Sequence, residues 1–121
     1  MLYYSLQIGA SMEYHEEISL MLGIKTNDSY TNTWVLTIDK ENDEPFLFVE
    51  YFLSLLDGKY DALKKMGVNR EDISVWMNYA YDSQYNMAFS PDDMYNLGKE
   101  GIILCVSCWD IHDYDADDEI E

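Results

Sequence analysis

Two histidines and two cysteines are the side chains in this sequence best suited to ligation, proton transfer or nucleophilic attack near neutral pH. His112 stands between Asp110 and Asp113, an arrangement able to orient an imidazole on a metal ion. An acidic segment produces such triplets by composition alone, so no metal site is expected there. Asp113, Asp115 and Asp117 repeat the first three ligand positions of a calcium loop, but the sixth position, which should be glycine, is Asp118. Only diffuse cation binding is expected of that segment. His15 falls beside Glu16 in a stretch of helical spacing and is expected to face solvent or the core boundary. Cys105 and Cys108 lie three apart in a strand-like run, which points them to opposite faces and suits neither a shared metal nor a local disulfide. They read as two small buried thiols of a reducing compartment. Carboxylate pairs abound, yet no glycine-rich phosphate loop and no nucleophile motif accompanies them, and Arg70 is the one arginine. No catalytic residue, metal ligand or cofactor is therefore expected.

The interleaving of aromatic rings with acids says more. Tyr79, Tyr81, Tyr85, Tyr95, Trp109 and Tyr114 lie among Asp82, Asp92, Asp93, Asp110, Asp113 and Asp115. Tyrosine gives large contact area at low entropic cost, and carboxylates around it complement a basic surface. Asp82, Tyr85, Asp92, Asp93, Tyr95, Asp110, Asp113 and Tyr114 are the candidate partner-binding residues. Against this, tyrosine is an ordinary strand residue and acids solubilise any surface. The balance of charge supports the interaction reading. The chain carries 24 acids against 7 bases, a net −17 over 121 residues. Residues 110–121 hold seven acids and no base, leaving a net −10 in the first 109, so the acidity belongs to the folded body as well as the tail. Such a field repels nucleic acid and anionic membranes and steers the protein towards basic partners.

These residues need elements to hold them. A hydrophobic fraction of 48% with 15% aromatics is that of a folded chain, and no run of about 18 apolar residues suggests a membrane span. The N-terminus lacks a basic region before its apolar residues and reads as a strand, so a cytoplasmic location is expected. Tyr3 to Ala10 alternates as that first strand. Ser11 caps a helix through Leu22, with Gly23 ending it. Thr33 to Ile38 is a second strand, 39–44 an exposed acidic loop, and Pro45 the start of the longest helix, with Phe46, Val49, Phe52 or Leu53, and Leu56 on its buried stripe. A shorter helix covers Tyr60 to Met66. Ile73 to Tyr81 alternates again, 82–86 is a turn, and Met87-Ala88-Phe89 returns as a short partner strand. Ser90-Pro91-Asp92-Asp93 then opens a capped helix closed by Gly98 or Gly101, and Ile102 to Cys108 reads as a strand buried on both faces. Leu22-Gly23 and Leu97-Gly98 give the two halves a faint echo of each other.

The order predicts a single α+β domain over 1–109, with a mostly antiparallel or mixed sheet of about five strands and helices packed on one face, followed by an acidic tail over 110–121. Residues after Asp113 are expected to be mobile. Gly23-Ile24 after the first helix, Trp34 opening a strand, the Phe-Leu-Phe-rich helix after Pro45, and Phe89-Ser90-Pro91-Asp92 leading to Leu97 and Gly98 give a resemblance. Over roughly 3–109 the chain resembles the bacterial family called domain of unknown function 4279. The resemblance implies a fold and no catalytic residues, since that family has no agreed activity.

Charge and aromatics together lead to the functional expectation. The chain reads as a non-catalytic acidic binding protein, in its most concrete form an immunity-type inhibitor that occludes the basic surface of a toxin or nuclease. A phage-encoded anti-defence protein, acting as a nucleic-acid mimic against a CRISPR or restriction complex, uses the same physics. A small-molecule-binding domain or enzyme with a groove between sheet and helices is the alternative from another class. A groove lined by converging polar groups favours the last; an acidic face with exposed aromatics favours the first two.

Overall fold

Strand alternation and two helix caps account for most of the architecture. The strands are β1 (Leu2–Gly9), β2 (Thr33–Asp39), β3 (Ile73–Tyr81) and β4 (Ile103–Asp110). The helices are α1 (His15–Leu22), α2 (Phe48–Leu56), α3 (Tyr60–Lys65) and α4 (Pro91–Glu100). The structure is a computed structural model that describes residues 2–39 and 46–112. Its sheet has the order β2-β1-β3-β4, with β1 antiparallel to both neighbours and β4 parallel to β3. A parallel pair needs a crossover, and the segment containing α4 supplies it.

Successive strand residues point to opposite faces, so Tyr4, Leu6 and Ile8 of β1 share a face with Trp34 and Leu36 of β2 and with Ile73, Val75 and Met77 of β3. Onto that face pack Ile18 and Leu22 of α1, Phe48, Val49, Phe52 and Leu56 of α2, Leu63 of α3 and Leu97 of α4. All four helices therefore cover one side of the sheet. Trp34 is fully buried, and its indole N–H donates to the Ser19 hydroxyl at 2.9 Å, tying β2 to α1.

The opening of α4 follows its sequence. The backbone N–H of Asp93 donates to the Ser90 Oγ at 3.0 Å, and Pro91 occupies the first helical turn, where its missing N–H costs nothing. At the other end Gly101 takes a left-handed conformation (φ 73°), and Ile102 N–H returns to the Leu97 carbonyl. Replacing Ser90 by alanine is expected to lower stability by about 1 kcal/mol. An unchanged denaturation midpoint would show that the cap does not hold the helix.

Several expectations are corrected. The sheet has four strands, and Met87-Ala88-Phe89 is irregular: Met87 and Phe89 pack against the core, Phe89 edge-on to Phe48 at 6.5 Å, so their alternation serves the helix layer. β4 is not buried on both faces. It is an edge strand, with Ile103 58% and Val106 44% exposed. Its cysteines do turn to opposite faces, opposite Trp76 and Tyr79, but Cys105 is half-buried and Cys108 exposed. α1 starts only at His15, after a 3-10 turn over Met12–Tyr14, and Ser11 makes no side-chain cap. His15 faces inward with Ile18 and Leu22, 8% exposed, with Nε2–H donating to the Ala10 carbonyl at 2.9 Å. Gly98 lies inside α4, which removes the echo with Gly23. α2 begins at Phe48, and the loop over 40–44, Pro45 and the tail from Asp113 lie outside the described residues.

Candidate functional site

Parallel strands leave a sheet at the same end, and at that end Tyr81 of β3 sits beside Asp110 of β4. Asp82 follows directly. An imidazole nitrogen of His112 lies 2.7 Å from Asp82 Oδ1, and the His112 backbone N–H donates to Asp110 Oδ1 at 2.8 Å. Asp110, assigned by sequence to the tail, is therefore the last residue of β4 and holds the turn that follows. Asp39 ends β2 at the same end of the sheet, opposite Tyr3. Tyr85 stacks on Tyr79 at 4.2 Å between centroids and 23° between planes, leaving its ring half-exposed.

The remaining candidates sit on α4. Asp92 is exposed in the first turn, Asp93 is half-buried, and Tyr95 is 67% exposed beside exposed Met94. The structure thus gathers Asp82, Tyr85 and Asp110 at the sheet end and groups Asp92, Asp93 and Tyr95 on the helix reached from that end. Asp113 and Tyr114 lie outside the described residues. Among the described residues the fixed cations are elsewhere: Lys59, Lys64, Lys65 and Arg70 belong to α3 and the turn into β3, and Lys99 to the last turn of α4; Lys40, which follows Asp39 in the sequence, lies outside the described residues. Lys25 precedes β2, at the far edge of the sheet.

The cationic end holds an open hollow of about 600 Å³ lined by Tyr60, Lys64, Asn69 and Arg70, among others. Its strongest charge is already engaged. The Arg70 guanidinium lies 3.4 Å from the Tyr60 ring centroid, donates to the Glu100 carbonyl, and approaches the Glu100 carboxylate at 3.3 Å. A cation on the last carbonyl of α4 complements the helix dipole and clamps α3 to α4. Burial raises the Tyr60 phenol to about 12 from an ordinary 10.0, with the Glu100 carboxylate adding to the shift and Arg70 opposing it. The neutral phenol is thus favoured by folding, so this contribution is intact below pH 10 and is lost as pH rises through about 12. In an alkaline titration Tyr60 should ionise late, as should Tyr3 and Tyr4, whose phenols burial also raises, and Tyr60→Phe should remove its share of that late step; a late step unchanged in Tyr60→Phe contradicts the placement. A second hollow, about 590 Å³, lies between α1 and the following loop and is mostly apolar, with Leu20 and Ile24 in its wall.

The far face of the sheet carries Tyr3, Trp76 and Trp109, Tyr3 meeting Trp109 edge-on at 6.2 Å. Beneath these rings Asn78 Nδ2 reaches Tyr3 O and Ser5 Oγ, each at 3.4 Å. Burial raises the Tyr3 phenol, with Asp28 and Tyr30 contributing, which puts the loop before β2 near this face. The same loop braces the β2 edge. Asn27 spans Thr37, its Oδ1 accepting from Thr37 N–H and its Nδ2 donating to Thr37 O, both at 2.7 Å. Ser29 Oγ accepts from Val35 N–H, and Thr26 donates to Val35 O. Sequence reading gave Asn27-Asp28-Ser29 only turn chemistry; that amide and hydroxyl side chains reach a strand edge was a signal it missed.

Among the described residues, no three His, Cys, Asp or Glu side chains converge as metal ligands, and no helix is long and apolar enough to cross a membrane. Neither a protein-family model, nor a curated protein, nor a solved structure matches the chain.

Proposed function

We propose that this is a non-catalytic binding protein that occludes a basic surface of another protein, in the manner of an immunity-type inhibitor of a toxin or nuclease. One observation carries the reading. The end of the sheet where β3 and β4 finish presents Asp39, Asp82 and Asp110 beside a half-exposed Tyr85, while the Lys and Arg side chains of α3, the β3 entry and α4 sit at the other end. Negative charge draws the partner in, and the aromatic rings then dock against it. The small-molecule alternative has less support, since the polar hollow directs its arginine onto Tyr60 and Glu100. The resemblance to the domain of unknown function 4279 family belongs to this proposal as a statement about fold. The immobilised protein, exposed to a lysate of the cells that make it, should retain a basic protein, release it at high salt, and block its activity in stoichiometric amounts. Retention of neutral or acidic proteins alone, or activity untouched by saturating inhibitor, contradicts the proposal.

A further inference from the structure

An open sheet has two edges, and here they are treated differently. The β2 edge is closed by side chains: Asn27 takes both polar groups of Thr37, and Ser29 and Thr26 take those of Val35. Among the described residues the β4 edge carries none of the usual devices against pairing. From Ile103 to Trp109 it holds no Lys, no proline and no charge, and among the described residues no other segment hydrogen-bonds to its outer side. It is eight residues long, and apolar Ile103 and Val106 stand exposed on its two faces. Exposed backbone in a strand offers alternate N–H and C=O groups to any extended chain that lies alongside.

Charge selects that chain. The edge ends at Asp110, next to Asp82, and the whole protein carries a net −17, which disfavours a second copy and favours a cationic one. We infer that the outer edge of β4 accepts an extended, lysine- or arginine-bearing segment of another protein as an added strand. This rests on the proposed reading of the protein as a ligand of a basic surface, and names the part of the partner that docks. Main-chain bonds along 103–110 give the register. On one face the segment's apolar side chains pair across Ile103; on the other its bases lay their alkyl stems along Val106 and meet Asp110 and Asp82.

The test uses the full chain, isotopically labelled, and a synthetic peptide of alternating lysine and valine as probe, with hydrogen exchange read residue by residue. In the free protein, the β4 amides that point outward should exchange fast and those bonded to β3 slowly. With free peptide at about ten times its dissociation constant, the outward amides should slow by about tenfold. The same peptide with every backbone nitrogen methylated keeps its charge but loses its backbone donors, and its N-methyl groups hold it away from the strand edge, so its carbonyls cannot reach the outward β4 amides and it should give no such protection. Equal protection by the methylated peptide overturns the inference. So does salt-sensitive binding that leaves β4 unprotected, in which case the charge reading survives and the edge does not. Absence of any binding at low salt sinks both. Concentration-dependent protection of β4 without peptide assigns the edge to a second copy and also overturns it.

Discussion

Replacing Phe52 by alanine is expected to lower stability by about 3–5 kcal/mol, the cost of deleting a buried aromatic ring whose surroundings cannot fully collapse. Phe52 is completely buried on α2, in the layer that covers β1, β2 and β3. Its neighbours on the same stripe, Phe48, Val49 and Leu56, are also buried, so nothing mobile can swing in to fill the void. Since small domains have about 5–15 kcal/mol in total, the variant should unfold at much lower denaturant. Phe52→Leu keeps most of the apolar volume and should cost less. A loss under about 1 kcal/mol for the alanine variant, the range of an ordinary surface change, would show that α2 does not pack as described.

The second large effect is on association. Converting Asp82, Asp92 and Asp110 together to asparagine should slow capture of a basic partner by about tenfold or more, because steering is what those charges supply. Asparagine keeps an acceptor oxygen for the His112 N–H that Asp110 now receives, so the turn after β4 should persist. Asp93 is left out of the set, since its backbone N–H completes the Ser90 cap. Tyr85→Ala or Tyr95→Ala should act on the other rate, speeding dissociation by about 2 kcal/mol if the ring fills a pocket on the partner. Stopped-flow or surface-capture kinetics with the captured partner separates the two. Unchanged association by the triple variant contradicts steering from this end of the molecule.

The features that were legible in the sequence are those whose physics is local. Ser90-Pro91 announces a helix start because the cap bond spans three residues, and the alternation of β1 and β3 follows from the pleat alone. What was not legible depends on partners distant in the chain. The Ile102–Cys108 run reads as a doubly covered strand until the sheet order puts β4 at an edge, a fact no window of that run contains. Met87 and Phe89 alternate as a strand does, yet Phe48 of α2 is what they pack towards. His15 is expected at the surface or the core boundary, yet it lies three and seven residues before Ile18 and Leu22 on the same helix face, and its ring turns onto the Ala10 carbonyl. Of the site, the residue types were readable. That Asp110 ends a strand beside Asp82, while the clustered bases sit at the far end, needed the parallel pairing of β3 and β4.

The most direct test of the central claim, that charge at this end of the sheet drives binding to a basic protein surface, is a binding titration against the captured partner at low and high salt. Charged encounter is screened beyond about 10 Å at 0.1 M ionic strength, so affinity should fall steeply as salt rises, with most of the change in the association rate. Affinity that stays constant across the two salt concentrations would contradict the account and shift the interface to the apolar hollow beside Leu20.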